Sequence, residues 1–181
     1  MDIIDEILKE NALDVKLAII YSDIDKELIK QAIDKGRIYS MGSNIPELSA
    51  DIVDETNSIV AQMGHEPVVE ALRGGADIIV CGRSYDPSIF AAVGINAGFD
   101  PGLSYHLGKV LECGALCAEP GTTKDCIFGT LYEDSFTVSA LNPLRRCSLT
   151  SVAAHTFYEK ENPCILHGPG FTLDLTDCNF T

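Results

Sequence analysis

The sequence has few basic residues and no long apolar run, and both shortages limit the classes of protein it can belong to. Lys and Arg number 13 against 27 Asp and Glu, which gives the 181 residues a net charge of −14. Because phosphates are bound mainly by Lys and Arg, this balance argues against nucleic acid or an anionic membrane as a partner. No apolar stretch approaches the ~20 residues that span a bilayer. We therefore expect no nucleic acid and no membrane among its partners.

Familiar catalytic and binding motifs are missing as well. The chain contains no Cys-x-x-Cys pair, no Gly-x-Gly-x-x-Gly loop, no phosphate-binding Gly-x-x-x-x-Gly-Lys-Ser/Thr and no Gly-x-Ser-x-Gly elbow. Its seven Cys residues are odd in number and lack the paired spacing of a zinc site, so we interpret them as free thiols and predict no metal centre. The sequence identifies no cofactor. The acidic N-terminus is unlike a secretory signal and free thiols suit a reducing compartment, so we expect a cytoplasmic protein.

What the sequence does contain is an alternation of helical and strand-like segments. Helical spacing and capping signals predict helices over 2–10, 23–35, 49–60, 67–73, 89–97 and 100–117, and apolar runs predict strands over 15–21 and 77–81. Such alternation is typical of a parallel sheet. We predict one α/β domain over 1–181. Its core, 1–124, is expected to be a Rossmann-like three-layer parallel sheet with helices on both faces.

The pattern of predicted secondary structure changes after residue 124. Strand-like runs at 126–132, 136–141 and 171–175 and a short helix over 151–160 predict a small, mixed and β-rich C-terminal extension over 125–181.

The most informative segment is the apolar second strand followed by Gly-Arg-Ser-Tyr-Asp-Pro. In open parallel sheets, ligands bind beyond the carboxyl ends of the strands, which is where Arg83, Tyr85 and Asp86 fall. A guanidinium binds a carboxylate or phosphate through two hydrogen bonds, so Arg83 can hold an acid group. The alternative is a structural salt bridge from Arg83 to Asp77 or Asp86. Asp86 also precedes a proline, as a helix N-cap does, and Tyr85 can donate a hydrogen bond or simply pack.

A polar line on the next predicted helix is the second candidate. Helical spacing places His106, Lys109 and Cys113 along one line, with Glu112 beside Lys109. His106 and Cys113 lie roughly 10 Å apart along the helix and therefore cannot form a Cys–His dyad. We predict acid–base roles for His106, Glu112 and Asp86. The alternative is that Lys109 and Glu112 pair in solvent.

A third candidate is His155, which has Tyr158 and Glu159 one turn further along an otherwise apolar helix. Such a polar line belongs either to a site or to a solvated face. We include His155 with Arg83 and Tyr85 among the predicted substrate-binding residues.

Long runs of the sequence are similar to one known family. IVAQMGHEPVVEAL, GADIIVCGRSYDPSIFAA, GFDPGLSYHLGKVLECGALCAEPG, NPLRRCSLTSVAAHTFYEKENP and HGPGFTLDL resemble the acyclic terpene utilisation AtuA family. The resemblance implies a cytosolic bacterial or archaeal protein, and the family takes its name from the degradation of citronellol- and geraniol-type terpenes. Family-like positions include Gln62, Arg83 and His155. The resemblance adds Gln62 to the predicted substrate-binding residues and transfers no catalytic assignment.

Chains of that family are more than twice as long as this one and extend beyond both of its ends. The resemblance therefore implies the central part of such a protein. Unpaired strand edges and exposed apolar surface would favour a homo-oligomer, or a second chain that supplies the missing elements.

Three functions stay open at this point. The first is an enzyme domain of small-molecule catabolism, of lyase or hydratase type, in which Arg83 binds the acid group of a carboxylate or acyl-CoA-type substrate. The second is a non-catalytic subunit or assembly scaffold. The third is a metal-assisted lyase, which no ligand spacing supports.

Overall fold

The structure, a computed structural model, describes residues 2–158 and 162–181. The helices of these ranges are α1 (Asp2–Glu10), α2 (Lys26–Asp34), α3 (Ala50–Glu55), α4 (Glu66–Arg73), α5 (Asp86–Asn96), α6 (Pro101–Glu112), a 3₁₀ helix (Gly114–Cys117) and α7 (Leu149–His155). The strands are β1 (Leu17–Ile20), β2 (Ile78–Cys81), β3 (Ile127–Leu131), β4 (Phe136–Ala140), β5 (Ile165–Gly168) and β6 (Phe171–Asp174). Within the described ranges, no helix combines the length and the apolar character needed to cross a bilayer.

The first two strands form a parallel pair, as predicted. Leu17 lies opposite Ile78 and Ile20 opposite Cys81. Asp77 fixes the start of the pair, because its carboxylate accepts the N–H of Lys16 at 2.8 Å. No further strand joins this pair in the part of the chain that the structure describes, so a Rossmann-like three-layer sheet is not confirmed. The coarser mixed α/β class is confirmed, and the sequence before residue 124 offers just two strand-forming runs.

The C-terminal third contributes two antiparallel hairpins. β3 pairs with β4 across the predicted turn at Glu133 and Asp134, with Ile127 opposite Ala140. β5 pairs with β6 through a turn in which Gly170 takes φ +75°, a left-handed conformation that favours glycine. Both hairpins contact α6, through β3 and β6.

α6 is the central helix of the fold. It packs against α5, β3 and β6, and its residues Ser104–Val110 are all buried. Gly108 permits the contact with α5, because a Cβ there would lie 3.3 Å from the carbonyl carbon of Pro87 and 3.4 Å from the amide nitrogen of Ala91. The absence of a Cβ at Gly108 therefore lets the backbones of α6 and α5 approach closely.

Three helices end five residues before their predicted ends. α3 ends early because Thr56 takes an extended backbone conformation. α6 ends at residue 112 because Cys113 leaves the helical region, with φ −120° and ψ 37°. α7 begins earlier than predicted because the Ser148 side chain caps it, and it ends at His155. Residues 159–161 of the predicted helix lie outside the described residues.

Candidate functional site

The backbone that follows β2 is held on both sides at the carboxyl end of the parallel pair. The Arg83 N–H donates to Ser22 Oγ at 2.9 Å, and the Arg83 carbonyl accepts the Met63 N–H at 3.1 Å. The Tyr85 N–H in turn donates to the Met63 carbonyl at 2.9 Å. A Cβ on Gly82 would lie 2.8 Å from the amide nitrogen of Ser22, so only glycine fits there unless the chain shifts. Three separate chain segments thus meet at what we call the strand-end edge, residues 22, 62–66 and 82–86.

Arg83 presents its charge outward from this edge. Its side chain is exposed, and within residues 2–158 and 162–181 it makes no ion pair or side-chain hydrogen bond. The alternative of a salt bridge to Asp77 or Asp86 is therefore not observed. Gln62 is also exposed and precedes Met63, the residue that pairs with the Arg83 backbone.

Asp86 is not the N-cap that its position before a proline suggested. Tyr85 has the extended backbone of an N-cap, with φ −72° and ψ 120°, and Asp86 is the first residue of α5. Its carboxylate is exposed in the first helical turn, where the helix dipole favours negative charge.

A histidine–tyrosine pair at the same edge was not singled out from the sequence. His65 Nδ1 lies 2.8 Å from the Tyr105 hydroxyl. Burial, with the charge of Glu66 as a second cause, raises the pKa of Tyr105 to about 12. The phenol is therefore protonated at neutral pH, and it forms a hydrogen bond with His65 Nδ1. In the sequence, this pair was indicated only by the Gly-His-Glu-Pro run at the start of α4. The tyrosine that His65 contacts lies 40 residues further along the chain.

Aromatic contacts connect this pair with the segment that carries Arg83. The Tyr105 ring stacks on Phe171 with 3.7 Å between centroids, and Phe171 lies 5.9 Å from the Tyr85 ring. A Cβ on Gly168 would lie 3.0 Å from the Tyr85 ring, so the β5–β6 turn is pressed against it. The edge therefore brings together Arg83, Tyr85 and His65.

His106 lies about 100° around α6 from Tyr105 and has different neighbours. Its Nδ1 is 3.7 Å from Cys178 Sγ, and its ring packs edge-on against Phe136 and Phe180, with centroids 4.9 and 5.9 Å away. The residue is 4% exposed, and burial lowers the pKa of its imidazole to about 4. The ring is therefore neutral at neutral pH. An acid–base role for His106 beside Arg83 stays a prediction that these contacts do not support.

Glu112 forms an ion pair with Lys109, but the pair is not in solvent. The two side chains are 7% and 4% exposed. The Lys109 ammonium also lies 5.4 Å from the centre of the Tyr158 ring. The solvent-exposed pairing considered from the sequence is thus wrong, because α7 and the turn that follows it cover this side of α6.

His155 belongs to the same buried region and not to the strand-end edge. Its ring stacks on Tyr158 with 5.6 Å between the ring centroids, and it lies beside Lys109 and the Val110 backbone. Burial first, and the charge of Lys109 second, lower the pKa of His155. The interpretation of His155 as part of a solvated face is wrong, because the chain's own α6 covers it.

The described ranges contain no group of three or more His, Cys, Asp or Glu side chains that could hold a metal ion. The metal-assisted alternative therefore finds no ligand set among them.

A search of the curated proteins and a search of the solved structures give no match to the chain. The family model described as acyclic terpene utilisation family protein AtuA matches residues 1–125 of the 181. This range includes both parallel strands, α6 and the whole strand-end edge, and the chain belongs to the acyclic terpene utilisation AtuA family.

Proposed function

We propose that this chain acts in acyclic terpene utilisation as an enzyme domain that binds a carboxylate or acyl-CoA-type derivative through Arg83. One observation carries the proposal. The backbone of Arg83 is fixed by hydrogen bonds to Ser22 and Met63, while its guanidinium is exposed and takes no partner among residues 2–158 and 162–181. An exposed guanidinium that the fold does not use for itself, carried on a backbone held at the end of a strand, suits recognition of an acid group.

The acid–base group of the proposal is His65, in place of His106 and Glu112. His106 is enclosed by apolar rings and Glu112 is held by Lys109. The His65 side chain is 26% exposed, and the hydrogen bond between its Nδ1 and the Tyr105 hydroxyl holds the ring in place. Such an imidazole can take and return a proton in a lyase or hydratase reaction.

The neighbouring polar residues keep their predicted roles in the proposal. Asp86 is exposed one residue beyond Tyr85 and can assist proton transfer at the same edge. Gln62 and Tyr85 would bind the substrate beside Arg83. His155 has no part in it, because α6 and Tyr158 cover it.

The test is calorimetric binding of geranate, an acyclic terpene carboxylate, and of its CoA thioester. A hydrogen-bonded charge contributes about 1.5–3 kcal/mol, so Arg83→Ala should weaken binding roughly tenfold to hundredfold. Arg83→Lys should recover part of the loss, since it keeps the charge without the planar fork. The matched control is Arg73→Ala, which removes one exposed charge from the far end of α4. Unchanged affinity in Arg83→Ala would refute the proposal.

A second candidate, an assembly subunit, is favoured by the exposed surface. The chain exposes 11842 Å², whereas a compact monomer of its 19.5 kDa mass exposes about 8,500 Å² by the usual size scaling. α5 adds a specific apolar face. Its Ala91 and Ala92 are buried, while Ile89, Phe90 and Val93 on the opposite side are exposed.

Light scattering after size exclusion tests the second candidate. An assembly held by the α5 face should dissociate to monomers on Phe90→Glu, because the new carboxylate would be buried without a partner. Leu144→Glu, at an exposed loop position, is the matched control and should leave the assembly intact. A wild-type monomer at micromolar concentration would exclude self-assembly through this face.

A further inference from the structure

A cleft of about 930 Å³ opens beside α6, away from the strand-end edge. It lies between α6, the β3–β4 hairpin, the first turn of α7 and residues 173–181. Neither Arg83 nor His65 lines it. The cleft is therefore separate from the site of the proposed function.

The interior of the cleft is apolar and its exposed rim is acidic. Phe136, Val138, Val152 and Phe180 are among the side chains that line the interior. The charged side chains that line it are Asp100, Asp134, Asp174 and Asp177, and all four are exposed. None of the described lining residues is Lys or Arg. A ligand with a carboxylate or phosphate would meet like charges at the rim, and any charged group would lose its hydration in the apolar interior, so the lining suits a neutral ligand.

His106 supplies an unused polar atom in this lining. Its Nε2 is buried and has no hydrogen-bond partner among the described residues. Leaving a buried polar atom unpaired costs about 1–3 kcal/mol, so such atoms are rare in native proteins. The Phe136 and Phe180 rings cover the imidazole edge-on, and Phe180 is the more distant of the two. A ligand hydroxyl that takes the place of part of the Phe180 ring would give Nε2 its missing partner.

We propose that this cleft binds a neutral, largely apolar small molecule with one hydroxyl or carbonyl group, which hydrogen-bonds to His106 Nε2. Apolar rings supply the contact area, the single polar atom fixes the orientation, and the acidic rim rejects anions. This division of roles is usual in small-molecule sites. The neutral imidazole has both a donor and an acceptor nitrogen, so it matches a hydroxyl or a carbonyl. The proposal does not depend on Arg83.

The experiment uses 1-octanol and octanoate as probes of equal chain length, with binding followed calorimetrically in the Arg83→Ala background, where octanoate cannot bind the guanidinium of the proposed function. We expect 1-octanol to bind at least tenfold more tightly than octanoate. His106→Phe keeps the aromatic volume and removes the hydrogen bond, so octanol affinity should fall about threefold to tenfold. Arg83→Ala should leave octanol affinity unchanged, which separates a failure of this proposal from a failure of the proposed function. Equal affinity for the two probes, or an unaffected His106→Phe variant, would overturn it.

A second variant and a second measurement keep the proposal testable if His106→Phe does not fold. Leu149 lines the cleft and is exposed, so Leu149→Arg adds a positive charge at the rim without disturbing the core. Octanoate should then bind about fivefold more tightly, with octanol within twofold of wild type. In the wild-type protein, ¹⁵N spectra of the histidine side chains should show octanol shifting the Nε2 signal of His106 and not that of His65. A shift confined to His65 would overturn the assignment.

Discussion

The strand-end edge and the buried region behind α6 are built from the same kinds of residue and use them in opposite ways. The edge holds His65, Glu66 and Arg83, and Tyr105 packs against it; the buried region holds His155, Glu112, Lys109 and Tyr158. At the edge the cation is exposed and takes no partner within the described ranges. In the buried region the cation is enclosed and paired. Burial and pairing, and not residue type, decide which set is available to a ligand.

The two regions contribute differently to stability and to binding. An exposed cation adds little to stability, because water solvates it equally well in the unfolded chain. A buried pair is different, because each charge has lost its hydration and depends on the other. We therefore expect the buried region to affect the folding free energy and the edge to affect binding.

The largest expected effect is on the buried pair. Glu112→Ala leaves the Lys109 ammonium buried without its partner, which typically costs about 3–5 kcal/mol of unfolding free energy. Urea unfolding followed by circular dichroism measures the change. Glu70→Ala, at an exposed position in the middle of α4, is the control and should stay within about 0.5 kcal/mol of wild type.

A companion variant separates charge from packing at this pair. Replacing both partners with apolar residues, Lys109→Met together with Glu112→Leu, removes the unpaired charge. Its stability should lie much closer to wild type than that of Glu112→Ala. A double variant as unstable as the single one would show that packing, and not the uncompensated charge, dominates.

The sequence predicted the edge better than the buried region, for a physical reason. Arg83, Tyr85 and Asp86 are neighbours in the chain and follow a recognisable strand, so local pattern was enough to place them together. His65 and Tyr105 meet only because α4 and α6 pack near each other, which no spacing in the sequence reveals.

The buried region was misjudged because helical spacing gives the face of a helix but not what covers it. Lys109 and Glu112 were correctly paired from their separation of three residues, and wrongly assigned to solvent. The covering elements, α7 and its following turn, come some 40 residues later. For the fold as a whole, the structure confirms the predicted parallel pair of strands. It does not confirm the predicted three-layer sheet, which would need more strands beside that pair.

The second-largest expected effect is a pH dependence of the unfolding free energy, caused by the buried His106. Burial lowers the pKa of His106 to about 4 in the folded protein, against about 6.5 when the chain is unfolded. The unfolded state therefore takes up protons first as the pH falls below 6.5, and stability is lost progressively toward pH 4. Between pH 7 and pH 4.5, this group should account for about 2–3 kcal/mol of lost unfolding free energy.

The measurement compares urea unfolding of wild type and His106→Phe at the two pH values. Carboxylates also titrate in this range, so the difference between the two proteins isolates the contribution of His106. His167→Phe is the control, because His167 is exposed on β5 and its replacement should leave the wild-type pH dependence intact. Equal losses in wild type and His106→Phe would contradict the buried, neutral imidazole.

The smallest effect is expected where the charge is most exposed. Arg83→Ala deletes a full positive charge, yet the guanidinium makes no ion pair within residues 2–158 and 162–181, and the hydrogen bonds at Arg83 come from its backbone. Its unfolding free energy should therefore stay within about 0.5 kcal/mol of wild type. If Arg83→Ala instead costs as much as Glu112→Ala, the guanidinium has a structural partner and is not free to hold an acid group. A stable Arg83→Ala protein that no longer binds geranate would give the two regions the separate roles that their burial implies.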